Sequence, residues 1–252
     1  MILGLRFKKE WIMKFLMDLH THTIASVHAY STVTENAIEA KKKGLEILGC
    51  SDHGYGMPHT TQPSYWMNLK ILPDFLEGVR LLKGVEANIY NHKGDIFEED
   101  LLDKVQYVVA SLHGNTYEYD TSDVKDFTSA MVNAMDRHPQ INILGHPDDQ
   151  RYPLDYKRVV EAAVRNNVAI EVNAASLSPT GFRLKAEENM RTYLPLCKEM
   201  GCKIVVNSDA HMSCYVGDFE RINKLLEELK FPEELVVNTS WKNLEELIGM
   251  DL

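Results

Sequence analysis

The chain has 252 residues, 44% of them hydrophobic and 25% charged, with a formal net charge of −10. That is enough apolar material for a full core in one large α/β domain or two small ones. The acidic balance excludes a general affinity for nucleic-acid backbone or anionic membrane, while leaving room for a local cationic site that bound metal ions could supply.

Residues 1–16, MILGLRFKKEWIMKFL, mix apolar and basic side chains, without the long apolar region and small-residue cleavage site of a signal peptide. Met13 or Met17 could serve as an alternative start. Residues 1–12 are therefore expected to form an extension outside the fold, and residues 13–252 a single catalytic domain. No apolar run approaches the roughly 20 residues needed to span a bilayer. Cys50, Cys197, Cys202 and Cys214 form no C-x-x-C pair, which sets aside zinc-ribbon and thioredoxin-like motifs. They read as reduced thiols, and the chain as cytoplasmic.

In chain order, the first strand is expected at Lys14–Leu19. A helix follows with Thr34 as N-cap, Glu35 close behind and Gly44 past its end. Leu45–Ser51 reads as a second strand, and Gly54–Ser64 as a long polar loop that, with Tyr65 and Trp66, shapes a pocket. Strands follow at Arg80–Ala87 and Val105–Leu112, then a helix near Val124–Arg137. Ile141–Gly145 is a fifth strand, with a helix near Asp155–Asn166. Val168–Asn173 is a sixth, with a helix near Ala186–Met200, and Lys203–Ser208 a seventh. Helices near Phe219–Lys230 and Trp241–Ile248 complete the chain. This alternation, with no evident linker, favours one closed or nearly closed parallel β/α barrel over an open doubly wound sheet. No G-x-G-x-x-G follows the first strand, which weakens a dinucleotide-binding reading.

The metal-ligating residue types fall where such a barrel gathers them. His20 and His22 follow strand one in DLHTHT, with His28 in the loop beyond. His53 ends strand two in SDHG, and Glu86 sits near the end of strand three. His113 ends strand four, His146 ends strand five, and Asp209 and His211 end strand seven in NSDAH. The C-terminal strand ends of a parallel barrel converge on one face. Residues i and i+2 of a strand point the same way, so His20 and His22 can bind one ion. Imidazole and carboxylate ligands suit zinc, manganese or iron. Seven histidines and two carboxylates exceed what one ion takes, so two or three divalent ions are expected, zinc first among them, with a carboxylate bridging a pair. His59, His92 and His138 fall outside the pattern. His59 and His138 are read as surface residues, as are Arg151 and Arg183, although either arginine could grip a phosphate bidentately.

At these residues the sequence resembles the PHP family, the polymerase and histidinol phosphatase metal-dependent phosphoesterases. The matching motifs are DLHTHT with His28, SDHG, GVEANI, SLHG, GHPD and NSDAH, in the family's order over residues 17–217. The stretches MPHTTQPSYWMNLKILP and GVRLLKGVEANIYNHKGDI are similar to the YcdX-type phosphatase subgroup. The resemblance implies a distorted (β/α)7 barrel with a trinuclear site at the C-terminal ends of the strands. Carried over by motif, His20, His22, Glu86 and Asp209 would hold the first ion. Glu86 would bridge to a second, completed by His113 and His146, and His28, His53 and His211 would hold a third. The sequence GHPDDQRYP departs from the family in a variable loop, where Asp148 and Asp149 would add negative charge near the mouth.

The implied activity is hydrolysis of a small phosphomonoester, with a metal-bridging hydroxide as nucleophile. Asp52, beside His53, would orient a ligand imidazole or a water, or equally cap nearby backbone amides. Asn173 and Ser176 would contact substrate from the rim, while Ser51, Ser111 and Ser208 would support the ligands from behind or serve in packing. Two other readings compete. A metal-dependent amidohydrolase also uses H-x-H after strand one, but often places a lysine or another bridging group after strand four, where this chain has His113. A non-catalytic or proofreading module of a DNA polymerase would need a polymerase region and affinity for DNA. A small phosphorylated substrate is the expected partner, with no stable nucleic-acid partner and no membrane, and a homo-oligomer is compatible with the sequence.

Overall fold

The computed structural model describes residues 13–118 and 124–252, so the expected extension at residues 1–12 lies outside the described residues. Among the described residues, eight strands form one sheet. They are β1 (Met17–Asp18), β2 (Ile47–Cys50), β3 (Phe75–Leu76), β4 (Val79–Ile89), β5 (Tyr107–Leu112), β6 (Ile141–Leu144), β7 (Ala169–Asn173) and β8 (Ile204–Asn207). The order is β1-β2-β4-β5-β6-β7-β8, every neighbouring pair parallel, with β3 antiparallel on β4. The seven parallel strands are those expected, and the structure is a nearly closed, distorted (β/α)7 barrel. The short β3 was not anticipated, because two residues carry no readable alternation. The first strand is also shorter than Lys14–Leu19.

The helices are α1 (Val33–Lys42), α2 (Pro63–Met67), α3 (Val124–Arg137), α4 (Tyr156–Asn166), α5 (Ala186–Met200), α6 (Glu220–Glu228) and α7 (Trp241–Ile248). The α1 N-cap is Thr32, not Thr34. Thr32 Oγ1 accepts from the Glu35 amide while the Glu35 carboxylate accepts from the Thr32 amide, a reciprocal box that needs the threonine three residues before the glutamate.

The barrel interior is filled by Met17, Leu19, Ile47, Leu82, Tyr107, Val109, Ile143, Ala169 and Val205. Leu244 and Leu247 of α7 join this cluster, and the Asn142 side chain at the start of β6 donates to the Leu247 carbonyl, so α7 plugs the N-terminal end. Tyr107 crosses the interior to donate to the Leu19 carbonyl at 2.8 Å. Gly49 and Gly84 make room for it, since a Cβ on Gly84 would lie 2.3 Å from Tyr107 Cζ.

Between β8 and β1 a side chain does the work of a ladder. Asn238 Nδ2 donates to the carbonyls of Met17 (2.9 Å) and Val206 (2.7 Å), and its Oδ1 accepts from the Val206 amide (2.6 Å). Nearer the mouth, Thr21 bridges Ala210 and the Leu19 amide donates to Asn207 Oδ1.

Candidate metal centre

The strand ends deliver all nine expected residues to one mouth. Glu86 is the hub. Its carboxylate lies 3.4 Å from His20 Nε2, 3.5 Å from His22 Nε2, 2.5 Å from His53 Nδ1, 3.2 Å from His113 Nε2 and 3.0 Å from His146 Nε2. Asp209 Oδ1 stands 3.1 Å from His22 Nε2 and 3.6 Å from His20 Nε2. His28 and His211 stack on each other and on the His53 and His22 rings, with centroids 4.2–4.9 Å apart. Three sets bring one donor atom each within 4.8 Å: His20, His22 and Asp209; His53, Glu86 and His113; and His22, His53 and His211. The first falls within the expected first-ion set. The others place His53 and His22 between neighbouring positions.

This donor set fits cations. His20 Nε2 and His22 Nε2 are buried without a hydrogen bond and aimed into the cluster, where His53 Nδ1 and Glu86 Oε2 are pressed together at 2.5 Å. Native interiors rarely leave such atoms unsatisfied. Burial and the neighbouring His211 and His53 rings push His22 well below the ordinary imidazole range, and burial with His53 and His211 takes His28 down to about 4. Neutral imidazole is the form that binds a metal. Burial also opposes charge on His20, but Glu171, Glu86 and Asp209 outweigh it and raise His20 well above the ordinary value. A cation would take the place of that proton. Burial disfavours the Glu86 and Asp209 carboxylates, yet the imidazoles around Glu86, and His20 with Arg183 around Asp209, hold both well below the usual range. His146 and Asp209 adopt positive φ, +27° and +52°. Strained backbone of this kind persists where surrounding structure enforces it.

The outer contacts include one residue that the sequence reading passed over. Glu171, fully buried in β7, binds His20 Nδ1 at 2.7 Å and accepts from the His146 amide (2.7 Å), Asn173 Nδ2 (3.0 Å) and Asn207 Nδ2 (2.9 Å). An acid inside the apolar strand AIEVN was the available signal. Asp52 accepts from the Thr23 amide and from the hydroxyls of Thr23, Ser26 and Tyr65. Ser26 Oγ in turn lies 3.1 Å from His22 Nδ1, so Asp52 caps an amide and steadies an imidazole through Ser26.

Several expectations are corrected, whereas those for Arg151, His59 and the three serines stand. Arg183 is not a solvated arginine: its side chain is 7% exposed, pairs with Asp209 at 2.9 Å and faces the metal cavity. Arg151 is half-exposed and grips Asp149. Asn173 is buried against Glu171 and Asp209, and Ser176 bonds to it, so neither lines the metal cavity. Asp148 is wholly buried, and Asp149 is neutralised by Arg151, so neither charges the mouth as expected. Tyr65 and Trp66 turn away to Asp52 and Thr61, and only Met57 of the long loop lines the cavity. His138 is buried and bonds the Gly94 carbonyl, whereas His59 is exposed. Ser51, Ser111 and Ser208 are buried packing residues. The cavity, about 580 Å³, is walled by His28, His53, Glu86, His113, His146 and His211 together with Arg183 and Phe182.

A parallel barrel whose strand ends gather imidazoles around a shared carboxylate is the scaffold of a metal-dependent hydrolase. The PHP domain model matches residues 18–175, and the chain belongs to that family. It is 43% identical over 237 residues to a probable phosphatase of Thermoanaerobacter pseudethanolicus, covering 94% of this chain and 95% of that one. A probable phosphatase of Caldanaerobacter subterraneus is 44% identical over 229 residues, covering 90% and 89%. Among solved structures, the histidinol phosphate phosphatase of Lactococcus lactis, complexed with zinc, L-histidinol and phosphate, shares the fold at 15% identity. Its TM-score is 0.60, with 87% of this chain and 93% of that one covered. No helix among the described residues is long and apolar enough to cross a membrane.

Proposed function

We propose that this chain is a metal-dependent phosphatase acting on a small phosphomonoester, with His20, His22, His28, His53, Glu86, His113, His146, Asp209 and His211 holding two or three divalent ions. The observation that carries the reading is the convergence of five imidazoles on Glu86, with buried donor atoms left unpaired around it. Relatives named probable phosphatases support the reaction class, and the zinc in the Lactococcus lactis structure supports the metal. Bound ions would activate water at neutral pH and neutralise charge on phosphate oxygens.

The protein's own groups prepare for that chemistry. Glu171 fixes the His20 ring, and Asp52 through Ser26 steadies His22. Arg183 reaches the cavity with Nη2 on Asp209 and Nη1 near Asn173 and Ser176, while its Nε makes no hydrogen bond. That Nε faces the Asp149 carboxylate at 3.8 Å, so Arg183 brings its positive charge to the cavity wall beside Asp209. The test is phosphate release by metal-replete protein from a broad panel of phosphomonoesters, alongside elemental analysis. Release from none of them, or a purified protein without transition metal, would refute the reading.

A further inference from the structure

His113 has neighbours that dictate its protonation. Its Nδ1 lies 2.8 Å from Asn88 Oδ1, and its Nε2 faces Glu86 at 3.2 Å. Nε2 can bind an ion only while it carries no proton, so the ring proton must sit on Nδ1, which then needs an acceptor. Asn88 is an acceptor in one orientation of its amide only. Turned over, it would present NH2 to Nδ1, forcing the proton onto Nε2 and closing that nitrogen to a metal.

Glu98 decides which way the amide lies. Wholly buried, it accepts through Oε1 from Asn88 Nδ2 (2.6 Å) and the Gly56 amide (2.7 Å), and through Oε2 from the Asn88 amide (2.8 Å). An ionised carboxylate offers acceptors alone. The Asn88 NH2 must therefore face Glu98, which turns Oδ1 toward His113. The loop is built tightly on this carboxylate, since a Cβ on Gly54 would lie 2.4 Å from Glu98 Cδ.

We propose that Glu98 is a positioning residue of the metal centre: acting through Asn88, its carboxylate holds His113 in the Nδ1–H tautomer and keeps Nε2 open to the ion shared with Glu86 and His146. The inference rests on the ligand role of His113 proposed above. The relay reaches the ligand through a neutral amide, whereas Glu171 touches His20 directly.

The experiment uses full-length protein, 15N shifts of its histidine rings in the zinc-loaded state, and zinc titration. The wild-type His113 ring is expected as Nδ1–H, a readout that needs no variant. Glu98→Leu removes every acceptor facing the Asn88 NH2 and leaves the Gly56 amide without a partner, so Asn88 turns its Oδ1 that way and His113 moves to Nε2–H. Zinc affinity at that position then falls about 10- to 100-fold. The double variant E98Q/N88D restores the link, because the introduced amide donates to a carboxylate at position 88 that still accepts from His113 Nδ1–H. Its tautomer and zinc affinity should return toward wild type, a rescue that a role confined to holding the loop would not give. Wild-type His113 bearing Nε2–H would overturn the proposal. So would E98L with unchanged tautomer and affinity, or an E98Q/N88D double variant that binds zinc no better than E98L. A wild type that binds zinc and shows Nδ1–H at His113, yet releases no phosphate, would refute the phosphatase reading while supporting this one.

Discussion

Replacing Glu171 by glutamine changes one oxygen to NH2 and leaves the volume intact. Every group around the carboxylate other than the His20 ring is an N–H donor: the His146 amide and the Asn173 and Asn207 side-chain amides. Whichever way the new amide turns, its NH2 opposes at least one of them in a fully buried site. Each buried donor left without an acceptor costs about 1–3 kcal/mol, so metal-free E171Q should lose roughly 2–5 kcal/mol of stability, less if Asn173 or Asn207 flips to compensate. With NH2 beside His20 Nδ1, the ring proton is driven to Nε2, the atom facing Glu86 and Asp209. Loss of such a carboxylate support typically weakens metal binding about 10- to 100-fold. Urea denaturation of the metal-free protein gives the first quantity, and competitive zinc titration the second. A variant as stable as wild type and equally tight for zinc would show that Glu171 is not what orients His20.

Three further outcomes follow from other contacts. Burial raises the Asp148 carboxyl from 3.8 to about 7, against the opposing pull of Arg183. The folded state therefore holds this proton more tightly than the unfolded state. The resulting stability is fully present below about pH 4 and lost as pH rises through about 7. D148N should accordingly stabilise the protein more at pH 8 than at pH 5, by about 2–3 kcal/mol, and equal gains at both pH values in denaturant melts would contradict this origin. N238A removes three buried hydrogen bonds between β8 and β1 and should cost about 2–4 kcal/mol, read as a lower urea midpoint with the slope preserved; a loss under about 0.5 kcal/mol would mean the barrel closes without it. T32A breaks the α1 capping box at the surface and should cost about 1 kcal/mol while leaving phosphate release unchanged; a fall in turnover would contradict a purely local role.

The barrel and the nine converging residues were legible because parallel strands buried on both faces read as short apolar runs, and the polar residue that ends each run marks the mouth. What escaped was anything set by contacts across the barrel. Glu171 lies within a strand, and its partners come from residues 20, 146, 173 and 207, so no local spacing announces it. Arg183 sits in a loop, where sequence gives no measure of exposure, and only the fold brings Asp209 to its guanidinium. His138 stands at a helix end before a proline, a surface-like context that the Gly94 carbonyl overrides. The α1 cap was readable in principle: Thr32 and Glu35 have the spacing of a capping box, and Thr34 does not.

The joint closed by Asn238 is also where the chemistry is concentrated. His20 and His22 belong to one lip of that joint, Asp209 and His211 to the other, and the regular strand-to-strand ladder is missing between β1 and β8. A cation gripped by His20, His22 and Asp209 would therefore act as a clasp across the cylinder's weakest line. Stripping it should loosen amide protection first along residues 17–22 and 204–211, while the opposite wall of β4, β5 and β6 stays shut.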